Sequence, residues 1–348
     1  MRFTRRMKMI PYKTLVEEYE KVVHKVLNWN DGKEKILNIV SVPYNTSAIF
    51  VDVILKYVTN KRKVLFVTNE EHEKIDIIDN IKKYSSFRDY SYIRKGTGAT
   101  NIRATLFVSN HENALNFLQE FELVIYDDVS SFSRYRKYEI LDFLASQCRA
   151  GARVICRSVE PVFQNAFCID LPVKDCKLPI AEPRIITTRI DVNKEIPYVV
   201  YEYLNWSIES DRKVVILVPD EERGENVYGY LSIFREKLHN NIMYFHKEIN
   251  KKSIVNFMKS KSGIIIMKYN EELNIDLADT DIMVYFADDK CFDYKRLVYI
   301  CGKVGRSPGL GNGEVIFLAR EMTKEMEIAK DMARGFNKQA WEMGLLSV

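Results

Sequence analysis

Glycine is scarce in this chain. Only 14 of 348 residues are glycine, and none occurs between Gly32 and Gly96. A glycine-rich phosphate loop in that interval is thereby excluded, because such a loop uses glycines to let several backbone amides converge on an anion. Cysteine is limited to six residues, at 148, 156, 168, 176, 291 and 301, with no C-x-x-C spacing. The usual zinc-ligand pattern and a disulfide framework are both missing, several of the six sit in apolar, strand-like surroundings, and buried thiols of a cytoplasmic protein are the expectation. No zinc is expected. None of the five histidines stands beside a plausible nucleophile or metal-ligand partner. No apolar run approaches the roughly 18 residues of a membrane span, and the basic start MRFTRRMKMIPYKTL is not followed by an apolar signal region. Neither membrane insertion nor a signal peptide is expected. Net charge is only +4, and Arg2, Arg5, Arg6, Lys8 and Lys13 all precede the first acidic residue, Glu17. The rest of the chain is near neutral, which excludes a surface that draws in nucleic acid over its whole extent. The basic arm can touch phosphates or stay solvated.

What is present is a regular alternation. A chain of 348 residues exceeds one ordinary core, so two domains are expected, divided as residues 1–180 and 181–348. Short apolar runs alternate with amphipathic segments from end to end, the pattern of parallel sheets covered by helices. The first half offers strands at Ile36–Val42, Val64–Thr68, Ala104–Val108, Leu123–Tyr126 and Val154–Cys156, with helices at Glu70–Lys83, His111–Glu120 and Tyr135–Cys148. The second half offers strands at Arg184–Ile190, Val214–Val218, Ile242–Phe245, Gly263–Met267, Ile282–Phe286 and Glu314–Leu318. The fold class is α/β, with mainly parallel sheets. Leu171–Pro183 holds three of the nine prolines and reads as the linker, and Thr323–Met343 reads as an amphipathic terminal helix.

In open α/β sheets ligands bind at the carboxyl ends of strands, so the polar groups after each apolar run are the candidates. Asp127 and Asp128 directly follow the run Leu123–Tyr126. Two carboxylates there either serve a cation, with Asp127 as metal ligand, or cap a helix. The turn after the first strand, Val42-Pro43-Tyr44-Asn45-Thr46-Ser47-Ala48, has neither glycine nor a cation. Its amides with the Thr46 and Ser47 hydroxyls can hold an anion only weakly. The segment Arg94 to Arg103, including Lys95 and Thr97, is either a contact to a nucleic-acid backbone or a surface connection. Near the C-terminus five glycines fall between positions 302 and 313, beside Lys303 and Arg306. They form either a phosphate clamp or a glycine-capped helix end. Asn274 to Asp281 concentrates three carboxylates, which either bind a metal or serve as cap and turn residues.

Taken in order, these segments resemble a superfamily 2 helicase, most closely the ComFA-type DNA translocases of bacterial competence. Ala104 to Phe132 is similar to that family's strand, Thr-Thr-His-like motif and acidic box, with Asp127 at the magnesium position, Asp128 where Glu is expected and Ser130 where Asp is expected. Lys213 to Pro219 resembles the first strand of a second motor domain, and Asn274 to Asp281 resembles motif V, with Asp276 at its acidic position. YICGKVGRS resembles the finger box, with Arg306 matching a finger, Lys303 replacing another, and Gly302 and Gly305 around them. Arg157 to Pro161 stands at the coupling motif and keeps only the proline. Ser47 and Ala48 fall at the P-loop Lys and Thr positions.

The resemblance implies two tandem RecA-like domains. It implies ATP and Mg as cofactors if any nucleotide binding persists, with Thr46, Ser47, Asp276, Gly302 and Gly305 near the nucleotide and Asp127, Asp128, Lys303 and Arg306 as catalytic positions. Arg94, Lys95, Thr97 and Arg103 would meet nucleic acid. Single-stranded DNA and competence or repair proteins are the implied partners, with hydrolysis impaired or lost. An active ATP-dependent translocase and a non-catalytic interaction scaffold remain the alternatives.

Overall fold

The structure is a computed structural model. It describes residues 13–71, 73–94, 98–99, 101–117, 119–132, 135–174, 177–234, 242–245, 256–257, 259–269, 280–304 and 313–346. The chain divides into two compact units, one of Met1–Lys177 with Lys338–Val348 and one of Leu178–Asn337.

Among the described residues the first unit carries eight strands: β1 (Ile36–Ser41), β2 (Val64–Thr68), β3 (Tyr90–Arg94), β4 (Gly98–Ala99), β5 (Leu106–Ser109), β6 (Phe121–Asp127), β7 (Cys148–Ser158) and β8 (Phe167–Leu171). Their spatial order is β4-β3-β5-β2-β6-β7-β1-β8. All neighbours run parallel except the short β3–β4 pair. The order explains the sequence pattern. All five residues of β2 are buried, as a central parallel strand covered on both faces requires. Alternation then sorts them, with Val64 and Phe66 entering one apolar cluster and Leu65 and Val67 the other.

Helices α1 (Lys13–Asp31), α2 (Val51–Thr59) and α3 (Asp76–Tyr84) supply residues to the cluster that holds Phe66. Helices α4 (His111–Leu115) and α5 (Lys137–Gln147) supply the other. In α2 the buried positions Val51, Ile54, Tyr57 and Val58 recur at helical spacing. The Asn110 side chain caps α4 by accepting from the Asn113 amide at 2.9 Å.

Among the described residues the second unit holds a six-stranded sheet of β9 (Arg184–Thr187), β10 (Lys213–Val218), β11 (Ile242–Phe245), β12 (Gly263–Lys268), β13 (Thr280–Tyr285) and β14 (Val315–Ala319). Its order is β11-β12-β10-β13-β14-β9, and every pair is parallel. Helices α6 (Tyr198–Glu209), α7 (Glu221–Ile233) and α8 (Tyr294–Lys303) alternate with these strands, and α9 (Lys324–Glu342) follows the last of them. Asp220 and Asp293 cap α7 and α8 by accepting from the Arg223 and Arg296 amides.

Three expectations need correction. The helix expected over Glu70–Lys83 begins only at Asp76, because Glu70 is drawn into hydrogen bonds with Thr68 and the Asp76 amide. The helix expected to reach Glu120 ends at Leu115. Strands β3 and β8, unanticipated, are less apolar because each lies toward a sheet edge. Cys168 on edge strand β8 is accordingly exposed, whereas Cys156 and Cys301 are buried. Among the described residues no helix is long and apolar enough to cross a membrane.

Candidate functional site

The site lies in the first unit, at the carboxyl ends of β1, β2, β6 and β7. Register places Thr68 beside Asp127 and Asp127 beside Arg157 in one row across three strands. Ile125 and Ile155 point into the cluster shared with α2, so Asp127 and Arg157, two residues further along, emerge on that same face. There the Arg157 guanidinium lies 5.1 Å from the centre of the Phe50 ring.

Asp127 and Arg157 form an ion pair whose side chains are both 0% exposed. The pair is bidentate, with Arg157 Nε donating to Asp127 Oδ1 at 2.9 Å and Nη2 donating to Oδ2 at 2.6 Å. Oδ1 also accepts from the amides of Val129 (3.1 Å) and Ser130 (3.3 Å), and Oδ2 accepts from Ser130 Oγ at 2.6 Å. Five donors therefore converge on a carboxylate that offers about four lone-pair sites. Burial opposes the charge on Arg157, but the charge and hydrogen bonds of Asp127 hold its pKa above the ordinary value. Arg157 also donates from Nη2 to Ser130 Oγ and from Nη1 to the Thr46 carbonyl at 2.5 Å, tying the acidic box to the turn after β1.

That turn is internally satisfied too. Tyr44, at a positive φ of 59°, donates its amide to the Val129 carbonyl at 2.8 Å. The Thr46 amide donates to Asn45 Oδ1 at 3.0 Å, and the Ala48 amide donates to Thr46 Oγ1 at 3.2 Å. The Ser47 amide donates to Oδ2 of Asp76, the first residue of α3, at 2.6 Å. The same oxygen accepts from Ser47 Oγ at 2.7 Å and Thr46 Oγ1 at 2.9 Å. Glu70 closes the group: it accepts from the Asp76 amide at 3.2 Å and from Thr68 Oγ1 at 3.1 Å. Burial, with the charges of Asp127 and Asp76 added, pushes its carboxyl from 4.5 up to about 8.

A nucleotide with magnesium does not fit these residues as they are arranged. Asp127 keeps no lone pair turned away from a donor, and the three amides from Thr46 to Ala48 are each committed inside the chain. The Asp76 carboxylate already accepts from the Ser47 amide and from the Thr46 and Ser47 hydroxyls, and a second anion brought to these donors meets like-charge repulsion. Among the described residues no group of three or more His, Cys, Asp or Glu side chains is placed to hold a metal ion.

Of the other expected positions, Asp128 is buried, donates its amide to the Arg157 carbonyl and accepts from Ser158 Oγ at 3.2 Å. Thr46, Ser47 and Asp127 thus come together through Arg157 and Asp76, whereas the Asp128 carboxylate turns to Ser158. Lys303 and Gly302 are buried at the end of α8, and Lys303 supplies the basic residue of its last turn. Arg94 ends β3 and Arg103 lies just before β5, both exposed. Lys95, Thr97, Asp276, Gly305 and Arg306 lie outside the described residues, as does most of the basic arm.

Three residues that complete the site were not singled out as its members from sequence: Arg157, Asp76 and Glu70. For Arg157 a signal existed, since a cation inside an apolar run (Arg153-Val-Ile-Cys-Arg157) must find a partner once that run is buried. Asp76 and Glu70 gave none, being ordinary polar residues beside an amphipathic helix.

With this geometry in view, similar solved structures define the class of fold. One is S. cerevisiae Dbp5 bound to RNA and ADP BeF3, with a TM-score of 0.56, 12% identity, and 97% of this chain and 96% of that one covered. Another is RecG bound to a three-way DNA junction, with a TM-score of 0.53, 13% identity, and 96% and 49% coverage. The NS3-like helicase of Alongshan virus gives 0.51, with 9% identity and 82% and 72% coverage. The architecture is thus a helicase-like α/β fold of two units with mainly parallel sheets. In sequence the chain is similar to the competence protein ComFA of Bacillus subtilis strain 168, 20% identical over 294 residues. The match covers 80% of this chain and 62% of ComFA, so the chain spans less than two thirds of that relative's length. No family model matches.

Proposed function

We propose that this chain is a ComFA-related, helicase-like nucleic-acid-binding protein in which ATP hydrolysis is lost or impaired, with single-stranded DNA or a partner in DNA uptake or repair as its ligand. The observation that carries the loss of hydrolysis is the Asp127 carboxylate, saturated by Arg157, Ser130 and two backbone amides. Phosphoryl transfer in P-loop folds requires that carboxylate to face a metal ion. The missing glycines and lysine at residues 43–48 support the same reading. Nucleic-acid binding is supported by the likeness to ComFA and by the exposed cations Arg94 and Arg103. A near-neutral body with a basic arm makes that binding modest and salt-sensitive.

The test is hydrolysis of ATP with and without single-stranded DNA, beside DNA binding at low and moderate salt, with Arg306→Ala as a control. The expected result is binding to DNA that weakens with salt, with no DNA-stimulated hydrolysis. Stimulated hydrolysis abolished by Arg306→Ala would establish an active translocase instead. Failure to bind DNA even at low salt would leave an interaction scaffold.

A further inference from the structure

The way in which the nucleotide cleft fails to fit its ligand has its own logic. Three donors, the Ser47 amide, Ser47 Oγ and Thr46 Oγ1, meet on a single oxygen of Asp76 within 2.6 to 2.9 Å. This is the donor set of one anionic oxygen, assembled at the turn after the first core strand, where folds of this kind receive phosphate. Opposite it, a fully buried guanidinium sits on Asp127 and reaches the carbonyl of Thr46. The two halves share that residue, since Thr46 gives its hydroxyl to Asp76 and its carbonyl to Arg157.

We propose that the nucleotide cleft of this fold has become an internal lock, in which the Asp76 carboxylate takes the place of a phosphate oxygen on Thr46 and Ser47 and the Arg157 guanidinium takes the place of the metal ion on Asp127. The proposal rests on the reading that hydrolysis is lost, and adds what fills the site: the chain's own anion and cation. The cradle retains a latent affinity for small oxyanions, which Asp76 satisfies from within. Its position fits the role. As the first residue of α3, Asp76 is anchored by the buried Ile77, Ile78 and Ile81 and has its amide held by Glu70. It therefore competes as a tethered ligand, held beside the cradle at a raised effective concentration.

The test is chemical rescue. Asp76→Ala empties the cradle, and inorganic phosphate or formate should then raise its unfolding temperature saturably relative to chloride at matched ionic strength. Wild type should show no such anion-specific rise. A hydrogen bond to an ionised acceptor is strong enough that losing the tethered one should improve phosphate binding about tenfold or more over wild type. Asp76→Asn keeps the side-chain shape and should show the same gain more weakly, which guards against an alanine variant that does not fold. A folded variant with no anion-specific rise overturns the lock, even if ATP hydrolysis is absent from wild type. A saturable phosphate response in wild type overturns it as well. ATP hydrolysis should stay absent in both variants, because Asp127 remains sealed by Arg157; its appearance in wild type would sink the functional reading separately.

Discussion

The carboxyl edges of the two sheets make the same chemical pair in opposite settings. At the first, Arg157 meets Asp127 at 2.6 Å with both side chains 0% exposed. At the second, Arg223 meets Asp289 at the same 2.6 Å, with the side chains 34% and 26% exposed. The second pair borders an open cleft of about 580 Å³ lined by Arg189, Arg320, Asp191, Asp288 and Phe286 among others. Equal separation does not give equal consequence. A buried charge that loses its partner is left without solvent to stabilise it, whereas a half-exposed one is rehydrated. Depth, not distance, makes the first pair part of the fold and the second a feature of the surface.

The largest test of that contrast is Arg157→Met. It leaves Asp127 buried and unpaired, and a loss of about 3–5 kcal/mol in chemical unfolding is expected. The matching Arg223→Met change should cost no more than about 1 kcal/mol. Equal losses would break the comparison. Combining Arg157→Met with Asp127→Leu should recover only part of the loss, because the apolar pair avoids the cost of burying charge but leaves the Val129 and Ser130 amides and the Ser130 hydroxyl without their acceptor.

A smaller effect concerns pH. The Glu70 carboxyl rises from 4.5 to about 8 on folding, so between those values the folded chain holds a proton that the unfolded chain has released. Its contribution to stability is fully present below 4.5 and is lost as pH rises through about 8. Glu70→Gln should flatten the fall in unfolding temperature across that window, and an unchanged profile would show that the acidic group is not coupled as its geometry requires. The smallest effect falls on two exposed cations that belong to neither ion pair. Arg94→Ala and Arg103→Ala should each weaken DNA binding slightly and lower the salt slope by about 1 if the side chain meets a phosphate.

The alternation of apolar runs was legible because a central parallel strand must be apolar on both faces. β2 falls on the stretch that its residues suggested and the inner strands β10 and β12 to within one residue, and the strand toward Asp127 was visible to within two residues at its start. Strands β3 and β8, the one next to an edge of the first sheet and the other at its opposite edge, were not, since that demand relaxes there. The turn at residues 43–48 could be read as a poor phosphate site from what it lacks, but not as a filled one. Nothing near Thr46 in sequence announces that a carboxylate thirty residues later will occupy its hydroxyl.

By itself, then, the sequence determined two α/β halves, the acidic box at Asp127 and a phosphate turn stripped of glycine and lysine. These are local properties, set by side-chain periodicity and by which residues stand next to one another. Only the tertiary structure decided that Arg157 would sit on Asp127 and Asp76 on Ser47. Partners 30 and 29 residues apart are chosen by strand register and helix placement, and their strength by burial, neither of which a linear pattern contains.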